Sequence, residues 1–319
     1  MELQDRGKMH ECQEKQLAGI CRKLLDEGKG DVILAYAGGE IENSTIPLFI
    51  RGCGEIERLK YDEYCYPNLA KYLLENKGKT GIVAKPCDAR AIAMYIAENQ
   101  LARENVYIIG MECNGMKNMD GSLAPGCCEC SVHVPPLFDV LVKCNGEVVE
   151  REQYTNTGAP AGYEDDAVFN AVTGESGNAG DDNGVNEDKP LEDKSLERFK
   201  KELDKCILCF ACRQACYGCY CPVCFMDRTM PAWISTDPGM GAKMVYHLGR
   251  AMHLAGRCVE CGACERVCPS GVKIRYLIKE INSFCKDVYG YRAGMNPGEY
   301  PVLAAFNKDD KEIGFLRSE

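Results

Sequence analysis

The chain has 319 residues, 48 acidic against 38 basic side chains, a formal net charge of −10 and 22 cysteines. That length exceeds one typical domain and suffices for at least one good core, while the acidity argues against nucleic acid as a partner. No apolar run approaches the roughly 18 residues that a membrane helix needs. The opening Met1-Glu-Leu-Gln-Asp-Arg6 is not a positively charged, apolar leader, so the cysteines are expected to be reduced thiols of a cytoplasmic protein.

In chain order, Leu17, Ile20, Cys21 and Leu24 recur at helical spacing, and Gly28 to Gly30 form a stop. Asp31 to Ala37, Gly81 to Lys85 and Asn105 to Gly110 are short apolar runs expected as buried strands. A helix from Asp88 to Asn99, carrying Ala91, Ile92, Tyr95 and Ile96, separates the last two. Strand, helix and strand at this length predict a right-handed crossover and a mostly parallel sheet. Leu137 to Val142 and Glu147-Val-Val predict an edge hairpin about Asn145-Gly146.

A stretch rich in Gly, Asn, Asp and Glu follows, centred on Gly174 to Asp188. Such a composition buries too little apolar surface to offset its ordering entropy. It reads as a linker or long loop over residues 151–194, between an α/β domain at 1–150 and a mainly helical domain at 195–319. Leu196, Phe199 and Leu203 mark one helix of the latter. Met244, Val245, Leu248 and Met252 mark a second, and Ile274, Leu277, Ile278, Ile281 and Phe284 a third.

The strongest pattern lies in that helical domain. Cys206-Ile-Leu-Cys209-Phe-Ala-Cys212-Arg-Gln-Ala-Cys216 and Cys258-Val-Glu-Cys261-Gly-Ala-Cys264-Glu-Arg-Val-Cys268-Pro269 both read C-x2-C-x2-C-x3-C. Bacterial ferredoxins wrap cubane clusters with this spacing, the fourth cysteine of each run reaching the other cluster. The expectation is two [4Fe–4S] clusters, one on Cys206, Cys209, Cys212 and Cys268, the other on Cys258, Cys261, Cys264 and Cys216. Zinc also uses C-x2-C pairs, but its four-ligand sites do not require two matched runs of four. Cys219, Cys221 and Cys224 exceed the needs of two clusters. Replacement of Cys216 as the crossed ligand, a further cluster and a structural zinc are all open roles for them.

Ligand sites in open α/β sheets gather at the carboxyl ends of strands. Cys87 and Cys113 follow two expected strands, and Cys127 and Cys130 form a C-x2-C pair soon after. Together they are expected to make a third [4Fe–4S] site. Ala37-Gly38-Gly39 after the first strand leaves room for a phosphate, although a simple turn is the commoner reason for Gly-Gly. Lys85 and Arg90 could pair with a phosphate or play solvated or ion-paired surface roles. No G-x-G-x-x-G precedes a helix, no serine–histidine–acid signature stands out, and no catalytic residue is assigned. Trp233, Met226, Met230 and Met240 are expected to pack as core or around the clusters. Cys12, Cys21, Cys53, Cys65, Cys144 and Cys285 are expected as small buried residues.

Gly81-Ile-Val-Ala-Lys-Pro-Cys87-Asp-Ala-Arg90 and Ile108-Ile-Gly-Met-Glu-Cys113-Asn-Gly resemble the beta subunits of deazaflavin-reducing hydrogenases and formate dehydrogenases. The resemblance covers most of residues 17–140. Residues Cys206 to Cys224 and His253 to Arg266 resemble dicluster α-helical ferredoxin modules associated with heterodisulfide-reductase-like flavoproteins. The resemblance implies cluster ligands at Cys87, Cys113, Cys127 and Cys130. It also implies an electron-transfer subunit working between a formate dehydrogenase or hydrogenase and such a flavoprotein. FAD is a further implied cofactor, and with it an alternative role: a flavin-containing subunit that itself reduces a deazaflavin or nicotinamide carrier. The ferredoxin-type cysteines follow the α/β domain here, whereas the hydrogenase subunits carry them near the start.

Overall fold

The computed structural model describes residues 3–153, 193–232, 234 and 239–305. The acidic stretch centred on Gly174 to Asp188 and Trp233 lie outside the described residues. Helix α1 (Leu3–Asp26) packs Leu17, Cys21 and Leu24 into the core, and Gly28 ends it in the left-handed conformation at φ 61°. Strands β1 (Val32–Gly38), β2 (Thr45–Ile50), β3 (Thr80–Ala84), β4 (Val106–Met111), β5 (Val140–Val142) and β6 (Val148–Glu150) form one sheet in the order β2-β1-β3-β4-β5-β6. The inner strands β1, β3, β4 and β5 pair in parallel. Both edges, β2 and β6, are antiparallel. The expected hairpin about Asn145-Gly146 is the β5–β6 edge. Strand β2 was not expected, because Pro47 interrupts its pattern; an edge position tolerates the missing N–H.

Helix α2 (Pro86–Ala97) opens on a proline at its first turn. Asp88 caps it, its Oδ2 accepting from the Lys85 N–H at 2.9 Å and its Oδ1 from the Leu69 N–H at 2.8 Å. Nearly every residue of α2 is buried, more than a helix lying on one side of a sheet requires. The cover on its outer face comes from the cysteine-rich segment. There α4 (Asp193–Asp204), α5 (Ala211–Gln214), α6 (Met240–Leu254), α7 (Ala263–Arg266) and α8 (Arg275–Tyr289) follow the short α3 (Pro125–Cys128).

Tyr217, Val259, Tyr291 and Ala293 from this segment belong to the same apolar core as the sheet. Tyr95 donates to the Tyr217 carbonyl at 2.7 Å, and Arg90 donates to the carbonyls of Ala293 at 2.9 Å and Val259 at 3.2 Å. Arg257 and Tyr220 both reach Glu98, at 2.9 and 2.7 Å from its Oε2. The two halves that the acidic stretch separates in sequence thus share one core. Among the described residues, no helix is long and apolar enough to cross a membrane.

Helix α6 is turned the opposite way from its apolar pattern. Val245, Leu248 and Met252 are 45, 41 and 60 % exposed, whereas Tyr246, His247, Arg250, Ala251 and Leu254 are buried. Its polar stripe faces the cysteine loops, so the usual rule for an amphipathic helix fails where the helix packs on a site that demands polar groups. Met230 also departs from expectation: it is 91 % exposed and packs round nothing.

Candidate metal centres

The two ferredoxin-type loops have the same backbone. Leu208 and Phe210 adopt φ 52° and 60°, and Glu260 and Gly262 adopt φ 60° and 72°. These are the second and fourth residues after the first cysteine of each run. Left-handed φ at Leu, Phe and Glu costs roughly 1–2 kcal/mol each, so both loops hold strain of the kind concentrated at functional sites. The conformation aims backbone N–H groups at sulfur: Leu208 donates to Cys206 Sγ and Glu260 to Cys258 Sγ, both at 3.4 Å. Val272 donates to Cys268 Sγ at 3.3 Å. Such bonds favour the thiolate and are among the features that set cluster potentials.

Cys113 has the same signature. Gly115, two residues on, is at φ 97° and donates to Cys113 Sγ at 3.4 Å, while Met116 donates to Cys127 Sγ at 3.3 Å. Strand β4 delivers Cys113 and strand β3 delivers Cys87 to one sheet edge, as parallel neighbours must. His133 fixes the Cys113 backbone, its Nδ1 and its carbonyl each lying 2.9 Å from a Cys113 main-chain atom. Burial pushes the Cys113 thiol up to about 12.

Sulfur lines two separate recesses. One is bordered by Cys206, Cys209, Cys212 and Cys268 together with Cys264, Tyr246 and His247. The other is bordered by Cys87, Cys113, Cys127 and Cys130 together with Cys261, Arg90 and Arg266. Cys216 is an electrostatic neighbour of Cys258, Cys261 and Cys264, on the second run's side. A hydrogen bond with Cys219, together with Arg250, pulls the Cys216 thiol well below its usual range. Among the described residues, no three His, Cys, Asp or Glu side chains close round a point as a single metal ion requires. A cubane holds its thiolates round a core several atoms wide, so recesses lined by sulfur and by N–H donors are the relevant geometry, and these residues fit it.

The second recess is closed where the α3 loop abuts the second cysteine run. A Cβ on Gly126, beside Cys127, would lie 3.0 Å from the Glu260 carbonyl and 3.3 Å from that of Cys261. A Cβ on Gly262 would lie 3.5 Å from Gly126. Two glycines therefore allow the α3 loop and the second cysteine run to touch, a contact that neither motif announces.

The remaining residues are scattered. Cys219 lies against Cys216, Cys224 lies beside Arg213 and Asp227, and Cys221 is exposed. Lys85 is fully enclosed: its ammonium donates to Tyr36, to the Pro67 carbonyl at 3.0 Å and to Asp88 at 2.8 Å. Arg90 borders the second recess, and its Nη2 is buried without a hydrogen-bond partner. Gly38 and Gly39 belong instead to the β1–β2 turn, where Gly38 pairs with Thr45 and the Ser44 side chain fills the space beside Gly39. The structure does not bring them to Lys85 and Arg90. Sequence reasoning also missed Tyr246, whose hydroxyl is 3.2 Å from Cys212 Sγ, and His247, whose Nε2 is 3.3 Å from Cys206 Sγ. Burial, then Arg250, lowers the His247 pKa to about 4, leaving it neutral. The available signal was the spacing of Tyr246, His247 and Arg250, which share one side of the helix opposite its apolar residues.

No protein-family model matches the chain. It is similar to the F420-dependent formate dehydrogenase subunit beta of Methanocaldococcus jannaschii, at 25 % identity over 90 % of this chain and 93 % of the relative. It is likewise similar to the F420-dependent formate dehydrogenase 1 subunit beta of Methanococcus maripaludis, at 24 % identity over 90 % of this chain and 92 % of that protein. Both similarities extend across the sheet and the cysteine-rich segment alike.

Proposed function

We propose that the chain is an iron–sulfur electron-transfer subunit of a multi-subunit oxidoreductase, working beside a catalytic subunit of formate dehydrogenase or hydrogenase type and passing electrons to a flavoprotein. The observation that carries this reading is the placement of Cys261 and Cys264. They stand three residues apart in one run, yet Cys261 borders the recess of Cys87, Cys113, Cys127 and Cys130, and Cys264 borders that of Cys206, Cys209, Cys212 and Cys268. Cubane clusters, when bound, supply one-electron transfer with potentials tuned by hydrogen bonds, charge and exposure. The protein's own part is to bring three cysteine sets close together, with Gly126 allowing the first two to approach.

The test is iron and sulfide analysis with electron paramagnetic resonance on the chain purified without oxygen. The reading expects three cubane signals, one of them abolished by Cys87→Ser and another by Cys258→Ser. Zinc in place of iron, or a single cluster type unaffected by Cys87→Ser, overturns it.

A second reading rests on a different feature of the same recess. Arg90, Arg266 and Arg292 border it beside the four cysteines, while Arg275 and Lys279 there are paired with Glu129; the balance stays positive and suits the phosphates of a flavin. On this reading the subunit itself passes a hydride between the flavin and a deazaflavin or nicotinamide carrier; both relatives are named as subunits of F420-dependent formate dehydrogenases. Acid-released flavin at one per chain favours it; intact clusters without flavin leave the relay.

A further inference from the structure

Arg250, on the inward face of α6, is 3 % exposed. Its Nη2 donates to the Cys212 carbonyl at 3.2 Å, and the rest of the guanidinium is buried against the sulfurs of Cys216 and Cys219, with which it hydrogen-bonds. Among the described residues, no carboxylate is paired with it. A buried guanidinium left this way is costly, because a desolvated charge needs an opposite charge close by. Its close electrostatic neighbours are the sulfurs of Cys216, Cys264, Cys219 and Cys212. Arginine keeps its charge throughout the pH range of a folded protein, so a cation here stands among sulfurs and not among carboxylates. Cys212 belongs to one ferredoxin set and Cys216 and Cys264 to the other, so the cation stands between the two.

We infer that Arg250 is a shared positioning charge for both ferredoxin clusters, setting their reduction potentials together. The inference rests on the two-cluster reading above. Reduction adds one electron to each cluster and no proton, so the net charge of each set becomes more negative by one. A fixed cation favours the reduced state of whichever cluster it faces. Because Arg250 faces both, its charge raises both potentials. His247 differs: its Nε2 reaches Cys206 Sγ alone among the described hydrogen bonds, so its influence is local to one cluster.

The experiment is a dithionite titration of the anaerobic full-length protein followed by electron paramagnetic resonance. It compares wild type with Arg250→Gln, Arg250→Lys and His247→Phe. Arg250→Gln is expected to lower both midpoints, each by at least a tenfold change in the reduction equilibrium, which is 59 mV for one electron. Arg250→Lys keeps the charge and is expected to hold both midpoints within that tenfold limit. His247→Phe is expected to move one midpoint and not the other. Two unmoved midpoints in Arg250→Gln, or one moved alone, overturn the inference. Should Arg250→Gln fail to retain its clusters, the lysine variant decides: both midpoints lowered tenfold or more despite the kept charge also overturns it. A wild-type protein without two cubane signals overturns the two-cluster reading instead, and iron analysis of the same sample separates the two failures.

Discussion

The two cysteine runs share a spacing and a backbone but not a neighbourhood. In the first, Ile207 is 63 % exposed and Cys209 is exposed, so one edge of the set meets solvent. In the second, Val259 sits in the common core, Cys264 is buried, and Cys261 faces the sheet-edge cysteines. The difference is sharpest at the fourth residue of each loop. Phe210 meets Tyr246 edge to face with centroids 5.1 Å apart, and Arg213 lies 5.3 Å over its ring. The matching position is Gly262, where φ is 72° and a Cβ would meet Arg266 at 3.2 Å and Gly126 at 3.5 Å. On the proposed relay reading, one cysteine pattern would then serve an outer set suited to exchange with a partner and an inner set suited to exchange within the chain.

The largest expected effect comes from removing a ligand on each side. Cys261→Ser should abolish one cluster signal and, in a donor assay entering through the sheet-edge site, stop reduction of the outer set. Cys209→Ser should abolish a different signal while leaving the inner set reducible. Matching phenotypes for the two variants, read by freeze-quench electron paramagnetic resonance, would erase the distinction between inner and outer runs.

Next is the contact between loops. Gly126→Val pushes methyl groups onto the Glu260 and Cys261 carbonyls, and overpacking of this kind costs about 1–3 kcal/mol. Denaturant unfolding of the anaerobic protein should show that loss, with slowed electron passage between the inner and sheet-edge sites. Passage at the wild-type rate in a correctly folded variant would show that the close approach is not needed.

A smaller loss is expected at Glu98→Gln, which leaves Arg257 and Tyr220 with a weakened partner. Removing one member of a half-buried charged pair costs on the order of 1–3 kcal/mol, measurable as a lowered midpoint for the joint core. Separate unfolding of the sheet and the cysteine-rich segment in this variant would break the picture of one shared core.

The smallest contrast compares the two left-handed positions directly. Gly262→Ala should cost about 1–2 kcal/mol, since φ 72° disfavours a Cβ. Glu260→Gly should be close to neutral, relief of the same strain offsetting the roughly 0.5–1 kcal/mol entropic cost of glycine. Thermal unfolding of both variants gives the comparison.

Much of the site was legible because its signals are local. A C-x2-C-x2-C-x3-C run carries its loop geometry within eleven residues, and both runs fold with the same positive-φ pair. The placing of Cys87 and Cys113 at one sheet edge also followed from pattern, since parallel neighbouring strands end on the same side. The inverted α6 was not legible: Met244, Val245, Leu248 and Met252 form the apolar stripe, yet Arg250 and His247 turn inward because thiol sulfur needs charge and hydrogen bonds more than apolar cover. Nor was the enclosure of Lys85, which becomes an internal ion pair only once Asp88 caps α2 beside it.

The sequence by itself determined the inner parallel strands, the two matched cysteine runs and the sheet-edge position of Cys87 and Cys113, because each depends on spacing along a few residues. Only the tertiary structure decided that the two halves share a core, that Cys261 and Cys264 border different recesses, and that Arg250 stands between two cysteine sets. Those facts depend on which surfaces touch after folding. Side chains far apart in sequence meet through packing, and no local period records the meeting.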